Sequence, residues 1–249
     1  MTFIEALNSQ DLEKIRKFPK ADLHNHFVLG GSREYIFNKT GYKIKSITTP
    51  LKSMGEMDSW SSKYIGNHFN SPEGRKLLIE ATFAQAKFDG VTVLEIGEDV
   101  WGLGEFFDND IEKMIFCFQE ANARIAPEIE LRLQIGLSRH CSVDYLMNCL
   151  SHFWGHKEFY SIDLYGDELA QSIANFIPIY DKAAENGLVL KAHVGEWGTA
   201  KDIITAVELL HLNEVQHGIA AVQDENVIEY LIENNIRLNI TPSSNVLLG

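Results

Sequence analysis

The chain has 249 residues, of which 45% are hydrophobic and 23% charged, a composition typical of a globular protein with one sizeable core. Its formal net charge of −13 reflects 35 acidic against 22 basic residues, which disfavours nucleic acid and anionic membranes as partners. No stretch reaches the roughly 18 apolar residues of a membrane span, and residues 1–10 lack a signal-peptide pattern. The three cysteines form no Cys-x-x-Cys motif. We therefore expect a cytoplasmic protein with reduced thiols.

Residues 9–17 predict a short polar helix, capped by Ser9, that leads into a strand over residues 20–27. Alternate side chains of a strand point to the same face, so His24 and His26 can reach one metal ion. In a chain with nine histidines this motif is weak by itself. It gains weight only if further ligands follow.

Residues 29–72 show no sustained period, and a connection of that length is typical of either a functional lid or a disordered segment. Aromatic residues within it favour a lid over a pocket. They are Trp60, Tyr64, His68 and Phe69.

From residue 71 onward, apolar strands alternate with amphipathic helices, which predicts a parallel sheet covered by helices. The predicted strands are 91–96, 131–137, 161–165, 188–193, 215–217 and 237–241. The predicted helices are 71–89, 110–126, 142–154, 178–185, 199–210 and 224–235, and residues 242–245 are expected to form a loop. With the first strand this makes seven strands, so we expect an α/β chain in which residues 1–249 form a single TIM-type (β/α)8 barrel. The barrel lacks its eighth βα unit.

Enzymes with this fold place their chemistry at the carboxyl ends of the strands, where several polar residues of this chain are predicted to gather. They are His24, His26, Asp163, Gly166, Asp167, His193, Glu196 and His217. His193 would be a third imidazole ligand, and Glu196 could act as a general acid or base. His217 could bind the metal or could orient and deprotonate its water.

Three other groups of residues have weaker functional interpretations. Glu95, Glu98 and Asp99 after the second strand either line the pocket or are solvated. His152 and His156 are four residues apart on a predicted helix, and a helix surface is favoured over a metal site. Residues 102–104 carry two glycines without the rest of a nucleotide-binding motif and are expected to form a loop.

Ordered motifs of the chain resemble those of the adenosine/adenine deaminase family. They are residues 20–26, the Arg139-His140 pair, residues 162–168, residues 193–196, His217-Gly218 and residues 241–245. The resemblance extends from about residue 20 to residue 249. It implies a metal-dependent amidohydrolase barrel with one zinc ion (Zn2+) per chain.

The resemblance also implies a role for each matching residue. Zinc would be held by His24, His26 and His193. Glu196 would donate a proton to purine N1, and His217 would orient and activate the attacking hydroxide. The backbone N–H of Gly166 would hold the far edge of the purine, and Asp163 would be the second substrate-binding residue.

Two departures from the family pattern affect what can be expected. The adjacent pair of aspartates at the end of the eighth strand is missing, which would weaken zinc binding. Without the eighth unit, the first and last strands have unpaired edges. Either the chain is a fragment of a longer protein, or a partner chain covers these edges, which would also allow self-association. Val28 stands where nucleoside-specific members carry an acidic residue, so ribose recognition is in doubt.

The expected function is zinc-dependent hydrolytic deamination of a purine, with adenosine the best single substrate. The open alternatives are adenine or another cyclic amidine as substrate, or a catalytically impaired protein that only binds purines.

Overall fold

Seven strands run parallel in one sheet in the computed structural model, which describes residues 2–248. Neighbours in the sheet follow chain order, so each strand pairs with the next one along the sequence. The strands are Lys20–Asp22 (β1), Val91–Asp99 (β2), Glu130–Ser138 (β3), Phe159–Tyr165 (β4), Val189–Val194 (β5), Glu214–His217 (β6) and Arg237–Asn239 (β7). Sequential parallel order is that of a (β/α)8 barrel. The predicted fold class, an incomplete barrel of this type, is confirmed.

Helices between the strands cover the outside of the sheet, and side chains that stop or start a helix define several of their ends. Ser71 caps the longest helix, Pro72 opens it, and Gly90 ends it in the left-handed conformation. The helices are Phe3–Asn8 (α1), Leu12–Arg16 (α2), Phe27–Gly30 (α3), Arg33–Thr40 (α4), Met54–Ser61 (α5), Asn67–Phe69 (α6), Pro72–Asp89 (α7), Gly102–Phe106 (α8), Ile111–Ile125 (α9), Val143–Leu150 (α10), Ile177–Glu185 (α11), Ala200–Leu210 (α12), Glu225–Glu233 (α13) and Pro242–Leu248 (α14). None of these helices in residues 2–248 is long and apolar enough to cross a membrane.

The sheet curls so that its first and last strands approach each other at their carboxyl ends. Nδ1 of His24 lies 2.9 Å from the carbonyl oxygen of Asn239, and the Gln216 amide donates to the carbonyl of Leu23 at 3.2 Å. Within residues 2–248, the outer edges of β1 and β7 have no paired strand. The functional ends of all seven strands therefore meet at one rim.

Residues 29–72, for which no secondary structure was predicted, contain the short helices α3 to α6 and a π-helical turn at Ser62–Gly66, and Ser32 and Ser53 cap helices there. Several local predictions were wrong. The predicted loops at 102–104 and 242–245 lie in helices α8 and α14. The leading helix begins after Asp11, whose carboxylate accepts two backbone N–H groups, so Ser9 is not its cap.

Candidate active site

Four histidines from three strand ends converge at the rim of the barrel. His24 and His26 follow directly after β1, His193 lies near the end of β5, and His217 is the last residue of β6. Nε2 of His193 is 2.9 Å from Nε2 of His24 and 3.1 Å from Nε2 of His26. His24, His193 and His217 offer ligand atoms within 4.8 Å of one another. The structure therefore brings together every histidine predicted for the site.

The hydrogen bonds of the imidazoles fit a bound cation. A carbonyl oxygen only accepts, so the contact with Asn239 places a proton on Nδ1 of His24. The Asp163 carboxylate also only accepts, and it lies 3.2 Å from Nδ1 of His193, so this nitrogen carries a proton as well. If both rings were neutral, their Nε2 lone pairs would face each other at 2.9 Å and repel, and either a proton on Nε2 of His193 or a metal ion between the rings removes this repulsion. Imidazole nitrogens are preferred zinc ligands, so the donor set fits zinc.

The environment keeps most of these rings neutral, as metal ligands must be. Burial, together with the charge of His193, lowers the pKa of His24 to about 2 and that of His26 to about 4. Burial also lowers the pKa of His217 to about 3. Burial opposes charge on His193 as well, but the neighbouring Asp163 outweighs it and raises the pKa of His193.

Glu196 and His217 form a buried pair beside the histidine cluster. Oε2 of Glu196 is 3.3 Å from Nε2 of His217, and both side chains are less than a tenth exposed. Oε1 of Glu196 is buried and has no hydrogen-bond partner within residues 2–248. Burial raises the pKa of Glu196, and the charge of His193 opposes that rise. This carboxyl group is therefore suited to hold a proton next to the cluster.

His217 is fixed on its other side by residues that follow β7. Nδ1 of His217 lies 3.1 Å from the amide nitrogen of Asn245 and 3.2 Å from the hydroxyl of Thr241. An amide nitrogen only donates, so Nδ1 accepts and the proton of the neutral ring lies on Nε2, toward Glu196. The backbone of His217 has a φ of +66°, a strained conformation that is frequent at functional sites.

The two predicted substrate-binding residues have different surroundings. Both carboxylate oxygens of Asp163 contact protein groups, Oδ1 at His193 and Oδ2 at the Gln216 amide, 3.3 Å away. Burial opposes the charge of Asp163, but His193 outweighs it and lowers the pKa of Asp163. Gly166, just after β4, has a φ of +91°, and a Cβ atom there would approach nothing closer than His140 Nδ1 at 3.5 Å.

The three acidic residues near the end of β2 are not solvated. Glu95 contacts the fully buried Lys191 at 2.6 Å inside the barrel, and Glu98 accepts hydrogen bonds from Nε and Nη2 of Arg75. Asp99 accepts from the hydroxyl of Ser138, and burial raises the pKa of Asp99 to about 7.

The second histidine pair lies outside helix α10. This helix ends at Leu150, so His152 and His156 do not share a helix face as predicted. His156 instead lies 3.5 Å from Glu112.

Sequence reasoning missed Glu168, which receives four backbone N–H groups from the loop that carries Glu196. It also missed the Asn239 carbonyl at His24. A carbonyl contact leaves no trace in residue types, whereas Glu168 lies inside a motif and could have been singled out as an acidic residue beside a glycine turn.

Comparison with known proteins decides the family. A family model described as adenosine deaminase matches residues 102–249, more than half of the chain. A putative adenosine/adenine deaminase from Treponema pallidum is 30% identical over 240 residues, covering 96% of this chain and 80% of the relative. The chain belongs to the adenosine/adenine deaminase family. An adenine deaminase from Vibrio parahaemolyticus is 34% identical and is matched over 94% of this chain and 73% of its own length.

Solved structures of the same fold are more distant in sequence. Adenine deaminase from Arthrobacter aurescens superposes with a TM-score of 0.75 at 22% identity, over 92% of this chain and 73% of that one. A zinc-bound amidohydrolase from Burkholderia ambifaria superposes with a TM-score of 0.72 at 17% identity, over 94% of this chain and 68% of that one. Arabidopsis ADAL complexed with GMP superposes with a TM-score of 0.73 at 17% identity, over 95% of this chain and 75% of that one. Family membership identifies the chain as a metal-dependent hydrolase that acts on C–N bonds of purines.

Proposed function

We propose that this site deaminates adenosine hydrolytically, giving inosine and ammonia. The observation that carries the proposal is the convergence of the His24, His26 and His193 Nε2 atoms beside the buried Glu196–His217 pair. It is supported by relatives that are described as adenosine or adenine deaminases.

One zinc ion per chain is the metal we propose, held by His24, His26 and His193. The convergence of these imidazole nitrogens supports this choice, as does the zinc in the Burkholderia ambifaria structure of the same fold. When bound, zinc activates water as a nucleophile at neutral pH.

Glu196 is the proposed proton donor to the purine ring. Its Oε1 is buried and unpartnered within the described chain, so it is free to meet a ring nitrogen. Protonation of N1 makes the neighbouring C6 electrophilic enough to accept water. His217 would orient that water, because its Nε2 faces Glu196 and its ring lies beside those of His24 and His193.

Asp163 and Gly166 have separate proposed roles. Both oxygens of Asp163 are engaged by protein, so we now propose that Asp163 orients His193 and does not contact the substrate directly. Gly166 stays the proposed contact for the far edge of the purine. Its backbone has a positive φ and carries no Cβ atom, which allows a flat ring to approach the peptide group.

Residues 29–72 are proposed to form a lid over this site. Asp58 of α5 lies close enough to His140 and Asp167, in the loops after β3 and β4, for their charges to act on its pKa, which burial raises. Leu51 donates its backbone N–H to the carbonyl of Leu247 at 2.7 Å, which joins the segment to α14. The segment therefore reaches loops on the same rim as the histidines.

Adenine is the second candidate substrate, because Val28 stands where nucleoside-specific members have an acidic residue and because relatives include adenine deaminases. A nucleotide such as AMP or N6-methyl-AMP is a third, since ADAL was crystallised with GMP. A protein that binds purines without turnover is the non-catalytic alternative.

The test is to incubate the zinc-loaded protein with adenosine, adenine, AMP and N6-methyl-AMP. The released amine and the purine product are then separated by chromatography. We expect the largest kcat/KM for adenosine and a loss of at least about 100-fold in Glu196→Gln. Glu208 is an exposed glutamate on α12, and the variant Glu208→Gln serves as the matched control, whose kcat/KM should equal that of the wild type. Binding without turnover of any of the four would contradict the proposal.

A further inference from the structure

A single buried carboxylate organises the loop that carries Glu196. Glu168, in the loop after β4, is only 4% exposed. Its Oε1 accepts the backbone N–H of Gly195 at 2.6 Å. Its Oε2 accepts the N–H groups of Glu196, Trp197 and Gly198 at 3.1, 2.9 and 3.1 Å. Four successive donors thus point at one side chain.

The path of this loop depends on that carboxylate. The loop joins β5 to α12, and Gly195 takes a φ of +71° to turn its backbone toward Glu168. At Gly198 an added Cβ would lie 2.5 Å from Oε1 of Glu168, so the backbone and the carboxylate are in close contact. Without the carboxylate, four partly or fully buried N–H groups would lose their acceptor, a costly state for backbone groups.

Two neighbouring side chains act on the Glu196 carboxyl group: His217, and the indole of Trp197 from the same loop, whose hydrogen bonding opposes the rise in its pKa. Oε2 of Glu196 contacts His217, while its Oε1 is unpartnered within residues 2–248. The direction of the side chain is therefore determined mainly by the backbone from which it leaves, and Glu168 fixes that backbone.

We propose that Glu168 is a positioning residue that holds Glu196 in its reactive orientation by accepting the four N–H groups of residues 195–198. The inference rests on the proposed function of Glu196. Glu168 itself need not touch the substrate. A misplacement of about 1 Å in a reacting group can cost about 100-fold in rate, so a change confined to Glu168 should be visible in kcat.

The test compares Glu168→Gln and Glu168→Asp with Asp202→Asn. Glutamine keeps the size of the side chain but turns an N–H donor toward the loop, whereas aspartate keeps both acceptors on a shorter side chain. Asp202 is the matched control, because its carboxylate accepts the N–H of Thr199 at 2.7 Å, one residue beyond the group held by Glu168.

Two readouts are needed. Amide hydrogen exchange should accelerate at residues 195–198 in Glu168→Gln and stay at the wild-type rate there in Asp202→Asn. The kcat of Glu168→Gln should fall about 10- to 100-fold, with KM changed less than about threefold and zinc content unchanged. Glu168→Asp should recover part of the lost kcat.

Unchanged exchange at residues 195–198 in Glu168→Gln would overturn the proposal, and so would a wild-type kcat despite faster exchange. A fall in kcat that merely follows a loss of zinc would also overturn it, since the effect would then be on the metal site. If the wild-type protein deaminates no purine, the proposed function fails. The exchange experiment still decides whether Glu168 holds the loop.

Discussion

Removal of the ammonium group of Lys191 should destabilise the barrel strongly. Lys191 lies on β5 and is fully buried, at 0% exposure. Its Nζ is 2.6 Å from Oε1 of Glu95 on β2 and 3.0 Å from Oε2 of Glu214 on β6. It also donates to the carbonyl of Leu23 after β1, at 3.4 Å. One cation thus links four strands inside the barrel.

The expected cost follows from what each carboxylate keeps after Lys191→Met. Glu214 still has Arg237 at 2.8 Å and the amide of Asn239 at 2.7 Å. Glu95 keeps only neutral donors and would be an uncompensated buried charge. Breaking a buried pair in this way costs about 3–5 kcal/mol in free energy of unfolding. Most of it should come from Glu95.

Urea unfolding of the metal-free protein at pH 7, followed by far-UV circular dichroism, measures this cost without a contribution from bound zinc. Lys191→Met should lose about 3–5 kcal/mol, and the double variant with Glu95→Gln should lose at least about 1.5 kcal/mol less than the sum of the two single losses. Glu214→Gln in place of Glu95→Gln is the matched control and should couple less. A loss below about 1 kcal/mol, or strictly additive losses, would refute the reasoning.

Three further outcomes are expected. Asp163→Asn should weaken zinc binding about 10- to 100-fold in a chelator competition, while Asp167→Asn, an exposed neighbour, should not; equal affinities would argue against the orienting role. Because Asp99 has a pKa of about 7 when folded against 3.8 ordinarily, the folded state binds the extra proton and stability falls as pH rises. In urea unfolding, the wild type should therefore lose about 3 kcal/mol more stability between pH 5 and pH 8 than Asp99→Asn does. The same pH dependence in both proteins would contradict this. Gly195→Ala should lower the unfolding free energy by at least about 1 kcal/mol more than Gly187→Ala does. Both glycines have a positive φ, but only a Cβ atom at Gly195 would meet neighbouring atoms, and equal losses would count against this reasoning.

Much of the barrel could be predicted because its signals are local. Apolar runs of three to seven residues, most of them followed by an amphipathic helix, indicate strands and crossover helices regardless of tertiary context. The convergence of His24, His193 and His217 then follows from topology, since carboxyl ends of parallel strands share one rim. Their residue types supplied the metal prediction.

The parts that were missed depend on contacts between distant residues. The Asn239 carbonyl reaches His24 across 215 positions of the chain, and no residue type marks a carbonyl acceptor. The segment 29–72 has weak periodicity because its helices are short and dock on other elements. For example, the N–H of Ser32 bonds to the carbonyl of Ala81 in α7. Glu168 was visible as a residue, but its four partners appear only once the loops after β4 and β5 are side by side.

The central claim is that three histidines form a zinc site that serves purine deamination. The most direct test is elemental analysis of the purified protein, with zinc counted per chain in the wild type, in His193→Ala and in the control His152→Ala. We predict about one zinc in the wild type and the control and none in His193→Ala, in parallel with the ammonia released from adenosine. A folded wild-type protein without zinc, or one that keeps its zinc in His193→Ala, would contradict the account.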